Sequence, residues 1–315
     1  HHAARARSGF TALHSQGEKP STGAPAAARL ARHRLLAEAA RGKGVSVLCL
    51  AHTADDIAEA EAMRAQGSNV GAPRVWSPSP VWPEGRDVFL YRPFLDVRRQ
   101  TLRDYLRDMG ANWIEDPANA DLTYARPRAR QAAANDATPG VAAAPDPSTA
   151  DLARACQAED DGGLSIERAA LRAAAPQART RLVAAACLCA AGTDRPPRRE
   201  KLAHLTGRIE GGAAFIASLA GARISADARI VRFGREAGEA ARGGLAPLRL
   251  AAGEAGVWDG RFEIAAEHAV EVRAGPRSAA PLAIGADGSP VTVRLRPLAY
   301  DRLLAACGAV EREPS

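Results

Sequence analysis

The sequence predicts an α/β domain followed by a helical region and a small β-rich C-terminal module. Three observations carry that expectation. The uncharged apolar run Val45–Ala51 stands between two helical segments, Ala24–Arg41 and Ala54–Ala65, the alternation expected of strands and helices around a sheet. A second short strand, Asp87–Tyr91, leads through Arg92-Pro93-Phe94 into an amphipathic helix, Val97–Met109. From Ala222 onward the pattern changes to short alternating segments separated by turn residues.

Each element has a local reason. Ala24–Arg41 is rich in Ala, Leu and Arg and is stopped by Gly42 and Gly44. Val45–Ala51 carries no charge, so it reads as a strand of a parallel sheet buried on both faces. Gly67–Trp82, rich in Gly, Pro, Ser and Asn, reads as a loop. Val97–Met109 places Leu102, Tyr105, Leu106 and Met109 on one face and ends at Gly110. Gln131–Pro147 is Ala/Pro/Asp-rich and reads as a linker. Thr149–Ala191 reads as helical and Glu200–Leu219 as another helix. Strands are expected at Arg223–Phe233, Leu248–Leu250, Arg261–Ala265, Val270–Val272 and Val291–Leu295. The expected divisions are therefore 1–130, a linker over 131–147, a helical region over 148–221 and a β-rich module over 222–315. No internal repeat is evident.

Composition narrows the function classes. A chain of 315 residues holds one large domain or two to three small ones, with enough core to need no disulfide or metal staple. No apolar run approaches the ~18 residues of a membrane span, and no secretory apolar segment opens the chain. The five cysteines show neither CxxC nor zinc-ligand spacing, which points to reduced structural thiols in a cytoplasm. Lys and Arg exceed Asp and Glu by 42 to 36, a net charge of +6 suited to a nucleic-acid partner without proving one. Aromatic residues are only 4% of the chain and much of the apolar share is alanine, so thin packing is expected in places. The first residue is His1 rather than Met, and the expectation is a chain that begins inside a longer protein.

The segment richest in chemistry is Ala51-His52-Thr53-Ala54-Asp55-Asp56-Ile57-Ala58-Glu59, where the first strand ends and a helix begins. Ligands of open α/β sheets bind at such carboxyl ends. Thr53 and Asp56 have capping-box spacing. Asp56 and Glu59 are i,i+3 and Asp55 and Glu59 i,i+4, so the three acids can share one face. Beside His52, such carboxylates can bind Mg²⁺, position an amine or accept a proton. Acids in a first helical turn are also favoured by the helix dipole alone, so capping is a competing explanation. Two further segments carry charge. Arg29 and Arg32, i and i+3, project from one side of the first helix. Asp116-Pro117-Ala118-Asn119-Ala120-Asp121 reads as a turn, and Arg126, Arg128 and Arg130 behind it form a spaced basic strip suited to phosphate or to solvent.

Taken in order, GEKPSTG…AARLARH, AHTADDIAEAEAMR, YRPFLD with its helix, and WIEDPANADLTYARPRAR resemble the tRNA(Ile)-lysidine synthetases of the N-type ATP pyrophosphatase (PP-loop) group, over about His14 to Arg130. A weaker echo follows in Trp258-Asp259-Gly260-Arg261-Phe262. The resemblance implies a partial doubly wound parallel sheet. It also implies a ligase that uses ATP and Mg²⁺ to adenylate the wobble cytidine of an isoleucine tRNA with a CAU anticodon. L-Lysine then displaces AMP. By motif position, Asp56, Glu59 and Arg126 are the implied catalytic residues, and His52, Asp55, Arg29 and Arg32 the implied substrate-binding residues. Which residues would hold the metal is not implied. The implied setting is cytoplasmic, without membrane, with a homodimer among the assemblies the family allows. Arg195, Arg198, Arg199, Arg223 and Arg261 are candidate phosphate contacts of the later regions, with a solvated basic face the equal alternative for each.

The chain departs from the family pattern at several positions. The Ser-Gly-Gly-x-Asp-Ser phosphate loop of the family does not occur in the 315 residues, and the resemblance places it upstream of His14. Ile57 and Ala60 stand where Gln and Thr are usual, Gln66-Gly67-Ser68-Asn69 where Arg-Gly-Ser-Gly is usual, Ala118 where Ser is usual, and Pro127 where Asn is usual. The alternatives are an inactive tRNA-binding remnant of the same family or another tRNA-modifying PP-loop ATPase.

Overall fold

A computed structural model describes residues 9–15, 24–66, 71, 73–114, 147–238, 245–275 and 279–309. The chain divides into two compact units, one of His1–Ser79 and Asp87–Ala144, the other of Pro80–Arg86 and Pro145–Ser315.

The first unit is α/β. Helix α1 (Ala24–Gly42) precedes strand β1 (Val47–Cys49) and helix α2 (Ala54–Ala65). Strands β2 (Trp76–Pro78) and β3 (Phe89–Tyr91) follow, then helix α3 (Arg99–Asp108). The sheet order is β1-β3-β2. β1 and β3 are parallel, in register Leu48 with Leu90, whereas β2 is antiparallel to β3. The helix–strand–helix order therefore matches the expectation, but two details differ. Trp76–Pro78 was expected to be loop, yet it is a strand because Trp76 stacks on Tyr91 at 4.6 Å and so has a cross-strand partner that no local pattern announces. The first strand is not buried on both faces: Val47 and Leu48 are half-buried and Cys49 is exposed. Among the described residues β1 pairs with β3 alone, and an edge strand keeps one flank open. The amphipathic helix also forms, but Tyr105 and Met109 of its apolar face are exposed. The buried core of this unit includes Ala37, Ala40, Ala54, Ile57, Ala60, Val88, Phe89, Leu90 and Leu95, small and alanine-rich as the composition suggested.

The second unit departs further. Helix α4 (Pro147–Arg154) is followed by strands β4 (Gln157–Ala158) and β5 (Leu164–Glu167) before helices α5 (Arg168–Ala173), α6 (Pro176–Ala191) and α7 (Arg199–Gly211). Thr149–Ala191 is thus not continuously helical: Asp160–Gly163 makes a turn and Leu164, Ile166 and Leu171 are drawn into a common core. The helix expected to reach Leu219 ends at Gly212, whose φ of 83° is a left-handed cap that favours glycine. Strand β6 (Phe215–Leu219) follows, then β7 (Ala222–Ala226) and β8 (Ile230–Arg235). These form an antiparallel sheet in the order β4-β5-β8-β7-β6. The expected division at 221/222 falls inside the β6–β7 hairpin, because sequence-distant strands complete one sheet on one core. The linker expected over 131–147 lies outside the described residues except for Pro147, which opens α4.

The remaining strands are β9 (Leu248–Leu250), β10 (Ala255–Trp258), β11 (Phe262–Ala265), β12 (Val270–Ala274), β13 (Pro281–Gly285) and β14 (Arg294–Pro297). Two three-stranded sheets, β10-β11-β14 and β9-β12-β13, enclose a second core of Trp258, Phe262, Ile264 and Val272. The last expected strand is displaced to Arg294–Pro297, where it pairs with β11. Helix α8 (Ala299–Ala306) then returns to the first core of this unit through Ala299 and Leu303.

Buried charge organises this unit. Arg168 is 1% exposed and donates five hydrogen bonds to backbone oxygens of Arg208, Ile209, Gly212, Ala213 and Asp227, at 2.7–2.9 Å. Four of those carbonyls lie at the end of α7, where the helix dipole favours a cation. Asp259 is held between Arg261 and Arg235, at 2.8 Å and 3.0 Å. Gly192 and Gly260, both at positive φ, let the end of α6 and this turn meet backbone to backbone, where a Cβ on either would collide. Four of the five cysteines are buried, and burial pushes the thiols of Cys156 and Cys187 up to about 12, so they stay protonated packing groups. Cys49 is the exposed exception. No described helix is long and apolar enough to cross a membrane.

Candidate active site

The site lies where β1 and β3 end. Leu50 N–H donates to Tyr91 O at 2.8 Å, Thr53 forms a parallel bridge with Phe94, and Ala54 N–H donates to Val97 O at 3.0 Å. The two strand-to-helix turns are thereby sewn together, and the N-termini of α2 and α3 come side by side.

Thr53 caps α2. Its N–H and its Oγ1 both donate to Asp56 Oδ2, at 2.8 and 2.9 Å. The capping-box spacing in the sequence is thus a formed cap, and Asp56 has a structural duty whatever else it does. Asp55 Oδ2 accepts the backbone N–H of Arg99 at 2.7 Å, and Arg98 Nη1 lies 4.0 Å from Asp55 Oδ1. Glu59 is 4% exposed and faces the same cation: Arg99 Nη2 stands 3.4 Å from Glu59 Oε1 and 3.6 Å from Asp56 Oδ2. Asp55, Asp56 and Glu59 therefore converge on one residue at the start of α3.

Sequence reasoning missed that residue. Arg98 and Arg99 open α3, where the helix dipole disfavours cations. Two arginines at a helix N-terminus with no acid in their own first turn are a signal that acids must reach them from elsewhere.

His33 of α1 sits among several basic groups of the same unit. Arg29 and Arg32 are exposed on α1, and His33 of the same helix is 8% exposed. Burial first, then Arg29, Arg92, His52 and Arg32, hold the His33 imidazole down at about 4, below its ordinary 6.5. No carboxylate enters that balance. Arg92, missed by sequence reasoning like His33, is 7% exposed. Its Nη1 donates to Arg74 O at 2.8 Å and to Ser77 Oγ at 2.9 Å, while its buried Nε has no hydrogen-bond partner. A buried guanidinium donor without a hydrogen-bond partner suits an anionic group such as a phosphate. Arg126, with Arg128 and Arg130, lies outside the described residues.

No group of three or more His, Cys, Asp or Glu side chains among the described residues is arranged to hold a metal ion. The carboxylates of Asp55, Asp56 and Glu59 are turned toward Thr53, Arg98 and Arg99, so this trio is not a metal cage.

Among the exposed arginines expected to meet phosphate, Arg195, Arg198, Arg199 and Arg223 are at the surface. Arg261 is not: it is 1% exposed and committed to Asp259, so the expectation for that residue is corrected.

Strand ends facing helix N-termini are the usual ligand-binding place of an α/β domain, and a family profile described as a PP-loop domain matches residues 9–137. The chain is 51% identical over 249 residues to the tRNA(Ile)-lysidine synthase of Caulobacter vibrioides, covering 79% of this chain and 57% of that one. It is 35% identical over 258 residues to the tRNA(Ile)-lysidine synthase of Hyphomonas neptunium, covering 76% and 69% respectively. Against the enzyme of the same name from Mesorhizobium japonicum, identity is 43% over 124 residues, 38% of this chain and 27% of that one. The chain belongs to the tRNA(Ile)-lysidine synthase family. It spans 57% of the Caulobacter relative and 69% of the Hyphomonas relative.

Proposed function

We propose that the chain acts in the ATP-dependent ligation of L-lysine to the wobble cytidine of an isoleucine tRNA with a CAU anticodon. The observation that carries this reading is the convergence of Asp55, Asp56 and Glu59 at the strand ends, in the unit where Arg29, Arg32 and Arg92 gather about His33. A cationic amino acid and a polyanionic nucleotide need those two opposite environments.

In the first step the cytidine O2 attacks the α-phosphorus of ATP and pyrophosphate leaves. Arg29 and Arg32, with His52 beside them and Arg126 by motif position, supply cationic partners for the phosphate charge. Arg92 lends the buried positive field. In the second step the lysine ε-amine attacks C2 and AMP leaves. Asp56 and Glu59 receive the lysine cation, with Asp55 bracing the turn, and Glu59 is placed to take the proton that frees the amine lone pair. Mg²⁺ enters this reading with the nucleotide, since it is usually bound by one or two carboxylates plus substrate phosphates. The described acids form no cage for it, and no step is assigned to it.

The β1-β3-β2 sheet is, on this reading, part of a doubly wound sheet, and residues 148–315 grip the tRNA body. The setting is the cytoplasm, and a homodimer is the assembly the family allows. Incubation with labelled L-lysine, ATP, Mg²⁺ and isoleucine tRNA tests the proposal. Labelled tRNA that disappears with Glu59→Gln supports it. Retained tRNA binding without labelling shows a tRNA-binding remnant instead.

A further inference from the structure

The arginine that opens α3 belongs to no motif singled out in the sequence, yet every acid of the candidate site touches it. Its backbone is fixed tightly, the N–H donating to Asp55 Oδ2 at 2.7 Å. Its guanidinium is held more loosely, at 3.4–3.5 Å from Glu59 Oε1 and 3.6 Å from Asp56 Oδ2. The position of Arg99 is therefore set by α3, while its guanidinium is shared between two carboxylates.

Glu59 is nearly buried, and a buried carboxylate without a cation is costly. Arg99 places a cation at the Glu59 flank. The guanidinium also fixes which way the carboxylate points, because the Arg99 end of Glu59 is already defined.

We propose that Arg99 is a positioning residue for the amine-receiving half of the site: it holds the Glu59 and Asp56 carboxylates in the orientation in which they receive a primary alkyl-ammonium, lysine in the reading above. The inference rests on the proposed lysine-binding role of those acids.

The test is calorimetric titration of the full chain with L-lysine, with thermal unfolding measured on each variant. Wild-type protein binds lysine. Arg99→Met weakens binding at least tenfold, and Arg99→Lys, which keeps the charge on a shorter reach, recovers it to within about threefold of wild type. Glu59→Gln weakens binding as strongly as Arg99→Met, and the double variant is no worse than either single one, since both act on one receptor. Lysine binding by Arg99→Met equal to wild type overturns the role of Arg99 and leaves the lysine reading standing. Weakening that Arg99→Lys does not relieve, together with an equal fall in melting temperature for both variants, also overturns it, because Arg99 is then only structural. Absence of lysine binding by wild type overturns the lysine reading itself and this inference with it.

Discussion

Arg99 Nη2 lies 3.4 Å from Glu59 Oε1 and so ties the first turn of α3 to the buried flank of α2. Neither helix alone makes that pair. It exists because Thr53 bridges Phe94 and Ala54 bonds Val97, which set the two helix starts against each other. The acids of the candidate site are thus held by α3, and the consequences can be measured.

Asp56 has two separable duties. It accepts from Thr53 N–H and Oγ1, and it faces Arg99. Asp56→Ala removes the cap and should lower stability by about 1 kcal/mol. Asp56→Asn keeps an acceptor and should lose only part of that, yet both variants should lose lysidine formation. Urea unfolding beside the lysine-labelling assay separates the two effects. Normal labelling by Asp56→Asn would show that only the cap matters.

Arg168 is the largest stability prediction. Its five backbone acceptors lose their donor in Arg168→Met, and several sit buried at the end of α7. A loss of about 3 kcal/mol is expected. Chemical denaturation gives the value. Lysine binding measured below the transition should be unchanged, since Arg168 belongs to the second unit.

Asp259 neutralises Arg235 and Arg261 together, with both guanidiniums nearly buried. Asp259→Ala leaves two buried cations without their carboxylate and should cost about 3–5 kcal/mol. Arg261→Met removes one of the two cations instead and should cost less. A smaller loss for Asp259→Ala than for Arg261→Met would contradict the assignment of Asp259 as the hub.

His33 gives a pH dependence with a definite sign. Its folded value is lowered from 6.5 to about 4, by burial first and Arg29 next. Between those values the unfolded chain binds a proton that the folded chain does not, so stability is full above pH 6.5 and falls as the pH drops toward 4. The loss at pH 4 is at most about 3 kcal/mol. Melting temperatures from pH 7 to 4.5 should fall less steeply in His33→Leu. Pyrophosphate seated among Arg29, Arg32 and Arg92 opposes their field and should raise the His33 value, which imidazole NMR shifts report.

Surface arginines predict a steep salt response. Arg195, Arg198, Arg199 and Arg223 are exposed, and replacing each with Gln should reduce the salt slope of tRNA affinity by about one phosphate contact. Arg261→Met should leave that slope unchanged, because the residue is buried. A flat salt response in the unaltered chain would remove the phosphate role from all four.

How much of this was legible beforehand differs by element. The helix Ala54–Ala65 was readable to the residue, since its cap, its acids and its apolar spacing are all local. Leu248–Leu250 was equally plain. Trp76–Pro78 was not, because its strand character depends on Tyr91 across the sheet. Phe215–Leu219 was read as helix, because the sequence cannot show that Arg168 and Gly212 end α7 before it. In the site, Asp55, Asp56 and Glu59 stood out by spacing, and Arg29 and Arg32 by their helical interval. Arg92 and Arg99 did not, because an isolated arginine carries no signature of what it will meet.

The sequence by itself determined the α/β order of the first unit, the acid-bearing helix start and the resemblance that names its chemistry. These follow from periodicity, caps and short motifs, all of which act within a few residues. Only the tertiary structure decided which arginines face the acids of the candidate site and which are buried struts. Arg99 reaches Glu59 across forty positions of sequence, while Arg168 and Arg261 disappear into carbonyl and carboxylate cages. Charge acts through space and burial rather than along the chain, so an arginine's role is fixed only when its neighbours are.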